Sequence, residues 1–211
     1  MTNPTWKMAC VAAAMTAMLM PVTAQSTGGA STTSTSTSKT INQRRENQQD
    51  RIGQGIQSGQ LTAGEATKLE TKESDLNKEE RLMRAEDNGK LTSADKKALT
   101  QQQNQLSNRI YKDKHNGAEQ NTNTNPSSKV GQRAENQQDR IAQGVKSGQL
   151  TAGETARLEQ KESNLNKEVS SDRKANGGHL TQTEKAQVNR QQNKVSSQIF
   201  KDKHNSFRQK P

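Results

Sequence analysis

Hydrophobic positions after residue 40 are sparse but spaced for helices. Ile52 and Ile56 are four apart, Leu69, Leu76 and Met83 are seven apart, and Leu99, Leu106 and Ile110 follow at seven and four. Such intervals place apolar side chains on one helix face. The spacing returns at Ile141 and Val145, at Leu158 and Leu165, and at Val188, Val195 and Ile199. No strand-like alternation survives four residues anywhere. The pattern predicts an all-α chain in which three helices are written twice.

The second writing is a duplication. Residues 41–116 align with 130–205 without a gap, and 43 of the 76 positions are identical. Between the copies lies a polar stretch, 117–129, and before the first lies a Ser/Thr-rich one, 25–40. Neither has the apolar material to offset ordering entropy, so both read as flexible linkers. The predicted organisation is two tandem three-helix units, each closing its own core, followed by a basic tail at 206–211.

One motif marks the helix boundaries four times. Gly59, Thr62 and Glu65 give its clearest form, Gly ending one helix and Thr capping the next, with Glu three residues on. The others are Gly89, Thr92 and Asp95; Gly148, Thr151 and Glu154; and Gly178, Thr181 and Glu184. The same spacing matches the second half of a calcium loop, so each copy resembles a degenerate EF-hand pair with helix–loop–helix layout. A hard cation needs about six oxygens, and three of the loops place Gln or Arg first and Ile, Val or Ala third. The loop from Arg84 to Asp95 offers Glu86, Asn88 and Asp95, the only candidates for weak calcium binding. Helix capping is the favoured reading, with no metal and no cofactor expected.

The wording of the repeat (RENQQDRI, GQLTAGE, LNKE, RQQN, KDKHN) also resembles an uncharacterised class of small exported bacterial repeat proteins. That resemblance covers residues 43–116 and 132–205. It implies a secreted helical repeat protein and no particular activity.

Composition narrows the function classes. Residues 1–24 have a Lys-bearing start, an apolar run from Met8 to Met20 and Val22-Thr23-Ala24, the layout of a signal peptide. Export to the periplasm or cell exterior follows, with no membrane span left after cleavage. Beyond residue 24 only 24 residues are Leu, Ile, Val or Phe and none is Cys, so disulfides and an enzyme-sized apolar pocket are excluded. No Ser-His-Asp set or phosphate loop occurs, and His115 and His204 each stand alone at a helix end. The expected function is a non-enzymatic interaction or structural module, with a calcium-responsive binding protein as the alternative.

Charge is informative locally. The chain is net +10, and from Lys185 onward seven bases face one acid, Asp202. The basic third helices suit an anionic cell-envelope polymer or lipid headgroups. Nucleic acid is not expected, because aromatic stacking partners are lacking. Mass spectrometry of the exported protein should find Gln25 at its N-terminus, and an intact Met1 would refute cleavage.

Overall fold

The computed structural model describes residues 40–118 and 128–209. The signal segment, the Gln25 cleavage point, most of both linkers and Lys210–Pro211 lie outside them. The described residues form six helices: α1 Ile41–Gln57, α2 Ala63–Glu86, α3 Ser93–Lys114, α4 Lys129–Lys146, α5 Ala152–Ala175 and α6 Gln182–His204. No strand occurs among them, so the chain is all-α there. None of these helices is long and apolar enough to cross a membrane.

Local chemistry sets the helix ends. Thr62, Thr92, Thr151 and Thr181 each accept from the backbone N–H three residues on, and Glu65, Asp95, Glu154 and Glu184 accept from the threonine N–H in return. Both partners thereby satisfy orphan donors of the first turn. Two caps escape the sequence pattern: Thr40 boxes with Gln43 at α1, and the Ser128 side chain accepts from Gly131 N–H at α4.

The leucine of the first motif in each copy has a structural role of its own. Leu61 and Leu150 are fully buried, and each lies over a glycine of the preceding helix. A Cβ on Gly55 or Gly144 would stand 2.6 Å from Leu61 or Leu150 Cδ1. The turn is pinned by Leu61 N–H donating to Gly55 O and Leu150 N–H to Gly144 O, both at 3.0 Å. Glycine is required there because the loop leucine fills the space a side chain would take.

The two copies do not close separate cores. Helix α3 packs on α1 and α2, and α6 packs on α4 and α5, but α1 also packs on α4 and α2 on α5. Ile52, Leu69, Leu99 and Ile110 share one buried cluster with Ile141, Leu158, Val195 and Ile199. The expectation of two self-contained units is thus replaced by a main core shared between the copies, with a smaller buried cluster in copy two alone. Each copy has too few large aliphatics to cover both faces of its central helices, so a second copy supplies the missing surface.

The contacts between copies are reciprocal. A Cβ on Gly64 would meet Ser163 Oγ at 3.6 Å, and one on Gly153 would meet Ser74 Oγ at 3.4 Å. These are equivalent pairs with roles exchanged, so α2 and α5 run antiparallel about a pseudo-two-fold passing near Leu69 and Leu158. Gly53 lies close enough to α4 that its Cβ would stand 3.4 Å from Ala142 O.

Glutamines complete the interior. Gln48 Nε2 donates to Gln103 O at 2.6 Å and Ser107 Oγ at 2.9 Å, while Gln103 Nε2 donates to Ile41 O at 2.9 Å. Gln137 and Gln192 repeat this with Ser196 and Val130. These residues carry helix-to-helix contacts that aliphatics would make elsewhere.

Reciprocal contacts of this kind can be satisfied by two identical chains. Residues 40–118 expressed alone should therefore sediment as a helical homodimer. A monomer with undiminished helicity and melting temperature would show that one copy closes its own core.

Candidate functional site

Four glutamates lie buried where α2 meets α5. Glu70 and Glu159 are fully buried, as is Glu162, and Glu73 is 1 % exposed. They are equivalent pairs, Glu70 with Glu159 and Glu73 with Glu162. Helical spacing puts Glu70 and Glu73 one turn apart on α2, and Glu159 and Glu162 one turn apart on α5, on the side of each helix that must face the other copy. From α1, Gln49 Nε2 donates to Glu70 Oε2 at 3.0 Å; from α4, Gln138 Nε2 donates to Glu159 Oε2 at 3.2 Å. Neither oxygen of Glu162 has a hydrogen-bond partner.

Burial shifts all four acids toward the neutral form. Desolvation lifts Glu70 from an ordinary 4.5 to about 8, opposed by the Gln49 bond and reinforced by Glu73. Burial raises Glu73 to about 7, with Arg45 pulling it down and Glu80 pushing it up. Glu162 rises to about 8 through burial alone. Glu159 is pushed well above the carboxylate range by burial, then by the charges of Glu162 and Glu70, against the Gln138 bond.

Beside these acids opens a cleft of about 870 Å3 between the copies, lined by Arg45, Arg81 and Arg84 from copy one, Arg157 from copy two and Arg208 from the tail, with Glu80 and Glu154 as its acids. Glu80 is 6 % exposed and organises the copy-one side. Its Oε2 accepts from Arg45 Nη1 at 2.9 Å, and its Oε1 accepts from Arg84 Nε at 3.0 Å and Nη2 at 2.7 Å. Asn77 Oδ1 accepts from Arg45 Nη1 at 3.0 Å and Asn42 Oδ1 from Nη2 at 2.9 Å, while the buried Arg45 Nε has no partner. Arg81 and Arg157 are exposed and make no hydrogen bond or ion pair among the described residues. Gln209 closes one wall, its Oε1 accepting from Ala152 N–H at 3.0 Å and its N–H donating to Gly148 O at 3.1 Å. Five guanidinium groups against two carboxylates give the cleft a net positive lining, with Arg45 and Arg84 paired to Glu80.

The structure draws together two motifs that are separate in sequence. Asn116 Nδ2 donates to Glu65 Oε1, and Asn205 Nδ2 to Glu154 Oε1, both at 2.6 Å. The asparagine ending each KDKHN thus grips the capping acid of SGQLTAGE, a link no spacing rule reveals. His115 and His204 stack on Tyr111 and Phe200 at centroid distances of 4.3 Å and 4.1 Å. Their Nδ1 atoms lie 2.7 Å from the carbonyls of those aromatics, helix-end contacts and not ligand sites.

The calcium candidates sit differently from a loop geometry. Glu86 is the last residue of α2, Asn88 holds φ 52 in the turn, and Asp95 Oδ2 accepts from Thr92 N–H at 2.8 Å and Thr92 Oγ1 at 2.7 Å. Those bonds hold the Asp95 carboxyl below its ordinary range. Arg84 Nη1 donates to Gly89 O at 3.3 Å, which puts a cation against the carbonyls of this turn. Among the described residues no three or more His, Cys, Asp or Glu side chains gather to hold a metal ion.

Sequence reasoning missed both the buried acids and the cleft. Glu70 and Glu73 follow Leu69 on a helix read as one apolar stripe, and only the second copy turns their side into an interior. Comparison with protein-family models, with curated proteins and with solved structures gives no match.

The acids set a pH dependence of known sign. Their folded pKa values lie above the unfolded 4.5, so stability is greatest below about pH 4.5 and falls as pH rises toward 8. Thermal unfolding of the wild type should show a melting temperature dropping across this window. In the Glu70→Gln, Glu159→Gln variant the slope should shrink and stability at pH 8 should rise by a few kcal/mol, at about 1.4 kcal/mol per tenfold change in ionisation. Equal slopes would mean the acids reach water when folded.

Proposed function

We propose that the protein is an exported, non-enzymatic interaction module that binds an anionic polymer of the cell envelope in the arginine-lined cleft. The observation behind this is the excess of guanidinium over carboxylate around one cleft built from both copies. Arginine's planar fork suits the carboxylate or phosphate groups repeated along such a polymer. Arg81 and Arg157 stand ready for those groups, while Arg45 and Arg84 are held in place by Glu80.

Comparison of the copies supports a binding role for this side. Arg45, Glu80 and Arg81 are replaced in copy two by Ala134, Val169 and Ser170. The helical architecture is the same with either set, so folding does not demand the ion pair. Replacing a buried ion pair by apolar groups is often neutral or stabilising. Its presence in copy one is then best accounted for by the cleft it organises.

Placement outside the cytoplasm rests on the layout of residues 1–24, and the basic third helices would extend the attraction beyond the cleft. The test is titration of the protein with polygalacturonate and with long-chain polyphosphate at low and moderate salt. Arg81→Ala with Arg157→Ala should weaken binding about tenfold, roughly 1.4 kcal/mol, and raising the salt should weaken it further. Affinity unchanged by the double substitution would overturn the assignment.

A further inference from the structure

Copy two holds a second pocket, remote in composition from the arginine cleft. It has a volume of about 620 Å3 and lies between the start of α4, the end of α5 and the first turns of α6. Lys129, Arg133, Arg173 and Lys185 line it together with Val130 and Leu180, and no Asp or Glu does. Of the acids at this end, Asp172 lies near Glu184 and Glu168 and outside the pocket lining, and the other two are engaged elsewhere. Glu184 accepts from Thr181 N–H at 2.7 Å and Asn176 Nδ2 at 2.9 Å, and Glu168 accepts from Gln187 and Gln191 at 2.8 Å.

Three features of this pocket point to a ligand. The Arg133 guanidinium is oriented by neutral groups, Asn189 Oδ1 at 3.1 Å and Asn193 Oδ1, which fix its direction without cancelling its charge. Helix α4 begins one residue earlier than its counterpart α1, so Lys129 falls in a first turn that has no acid. A cation there opposes the helix dipole, an unfavourable placement that a bound anion would relieve. Finally, Val130 and Leu180 belong to an apolar cluster with Leu165, Val169 and Val188. Val169 replaces Glu80 of copy one, so the substitution that removes the ion network also makes this end apolar.

We infer that this pocket binds a small amphiphilic anion: a carboxylate or phosphate head held by Lys129, Arg133 and Lys185, with an alkyl or aryl body over Val130 and Leu180. The volume supports the body as well as the head. It lies within the about 300–1,000 Å3 of small-molecule sites, and one bare inorganic anion fills only a fraction of it. This site is separate from the arginine cleft and its ligand is monovalent in the binding sense, one molecule per chain.

Calorimetric titration of the full chain with decanoate, decyl phosphate, inorganic phosphate and decanol, below micelle concentrations, tests the inference. Decanoate or decyl phosphate should bind one to one, and at least tenfold more tightly than either inorganic phosphate or decanol. The first ligand bound identifies whether the head is a carboxylate or a phosphate. Lys129→Ala with Lys185→Ala, both on exposed side chains, should weaken that binding about tenfold, while Lys167→Ala should not change it. Circular dichroism checks that the variants keep their helices. Phosphate or decanol binding as tightly as the amphiphile, no binding of either amphiphile, or indifference to the double lysine substitution would each overturn the proposal.

Discussion

The structure depends on the burial of one helix face of each copy against the other, with α2 and α5 crossing antiparallel at Leu69 and Leu158. That contact removes the surface that neither copy can cover with its own few aliphatics. It also drags Glu70, Glu73, Glu159 and Glu162 out of water, because those residues share the face. Hydrophobic burial favours the contact and carboxylate desolvation opposes it, and protonation decides the balance. Arg45 is the point where this interface meets the arginine cleft: it acts electrostatically on Glu73 while donating to Glu80 at 2.9 Å.

A core built this way is polar by composition: the amide donors of its glutamines are paired, while the side-chain oxygens of Gln48, Gln103, Gln137 and Gln192 are buried without a hydrogen-bond partner. Gln48 and Gln137 reach backbone carbonyls and serine hydroxyls of α3 and α6, and Gln103 and Gln192 return to the first turns of α1 and α4. Each bond contributes modestly, but a buried amide left without a partner would cost about 1–3 kcal/mol. Registry between the first and third helices is therefore fixed by geometry that aliphatic packing alone would leave looser.

Duplication has also produced a difference. At equivalent positions copy one has Arg45, Glu80 and Arg81 where copy two has Ala134, Val169 and Ser170. One set gives an ion network beside an open cleft; the other gives an apolar cluster beneath a cationic pocket. Both arise from the same backbone plan, so the surface chemistry of each copy could diverge without altering how they pack.

Helix type and helix ends were determined by the sequence itself, since capping boxes and three-to-four spacing are local and involve residues within one turn. The four threonine–acid boxes are legible for that reason, and so is the gapless repeat. Partnership between the copies was not, because a face that looks solvated in one copy becomes interior only when another helix lies on it. Glu70 and Glu159 carry no sequence signal of burial and are buried; Asn116 and Glu65 are 51 residues apart and meet. Leu61 lies in a turn and is nonetheless a core residue, because Gly55 leaves room for it. Long-range contacts are chosen by which surfaces can be removed from water together, and that choice exists only in the tertiary structure.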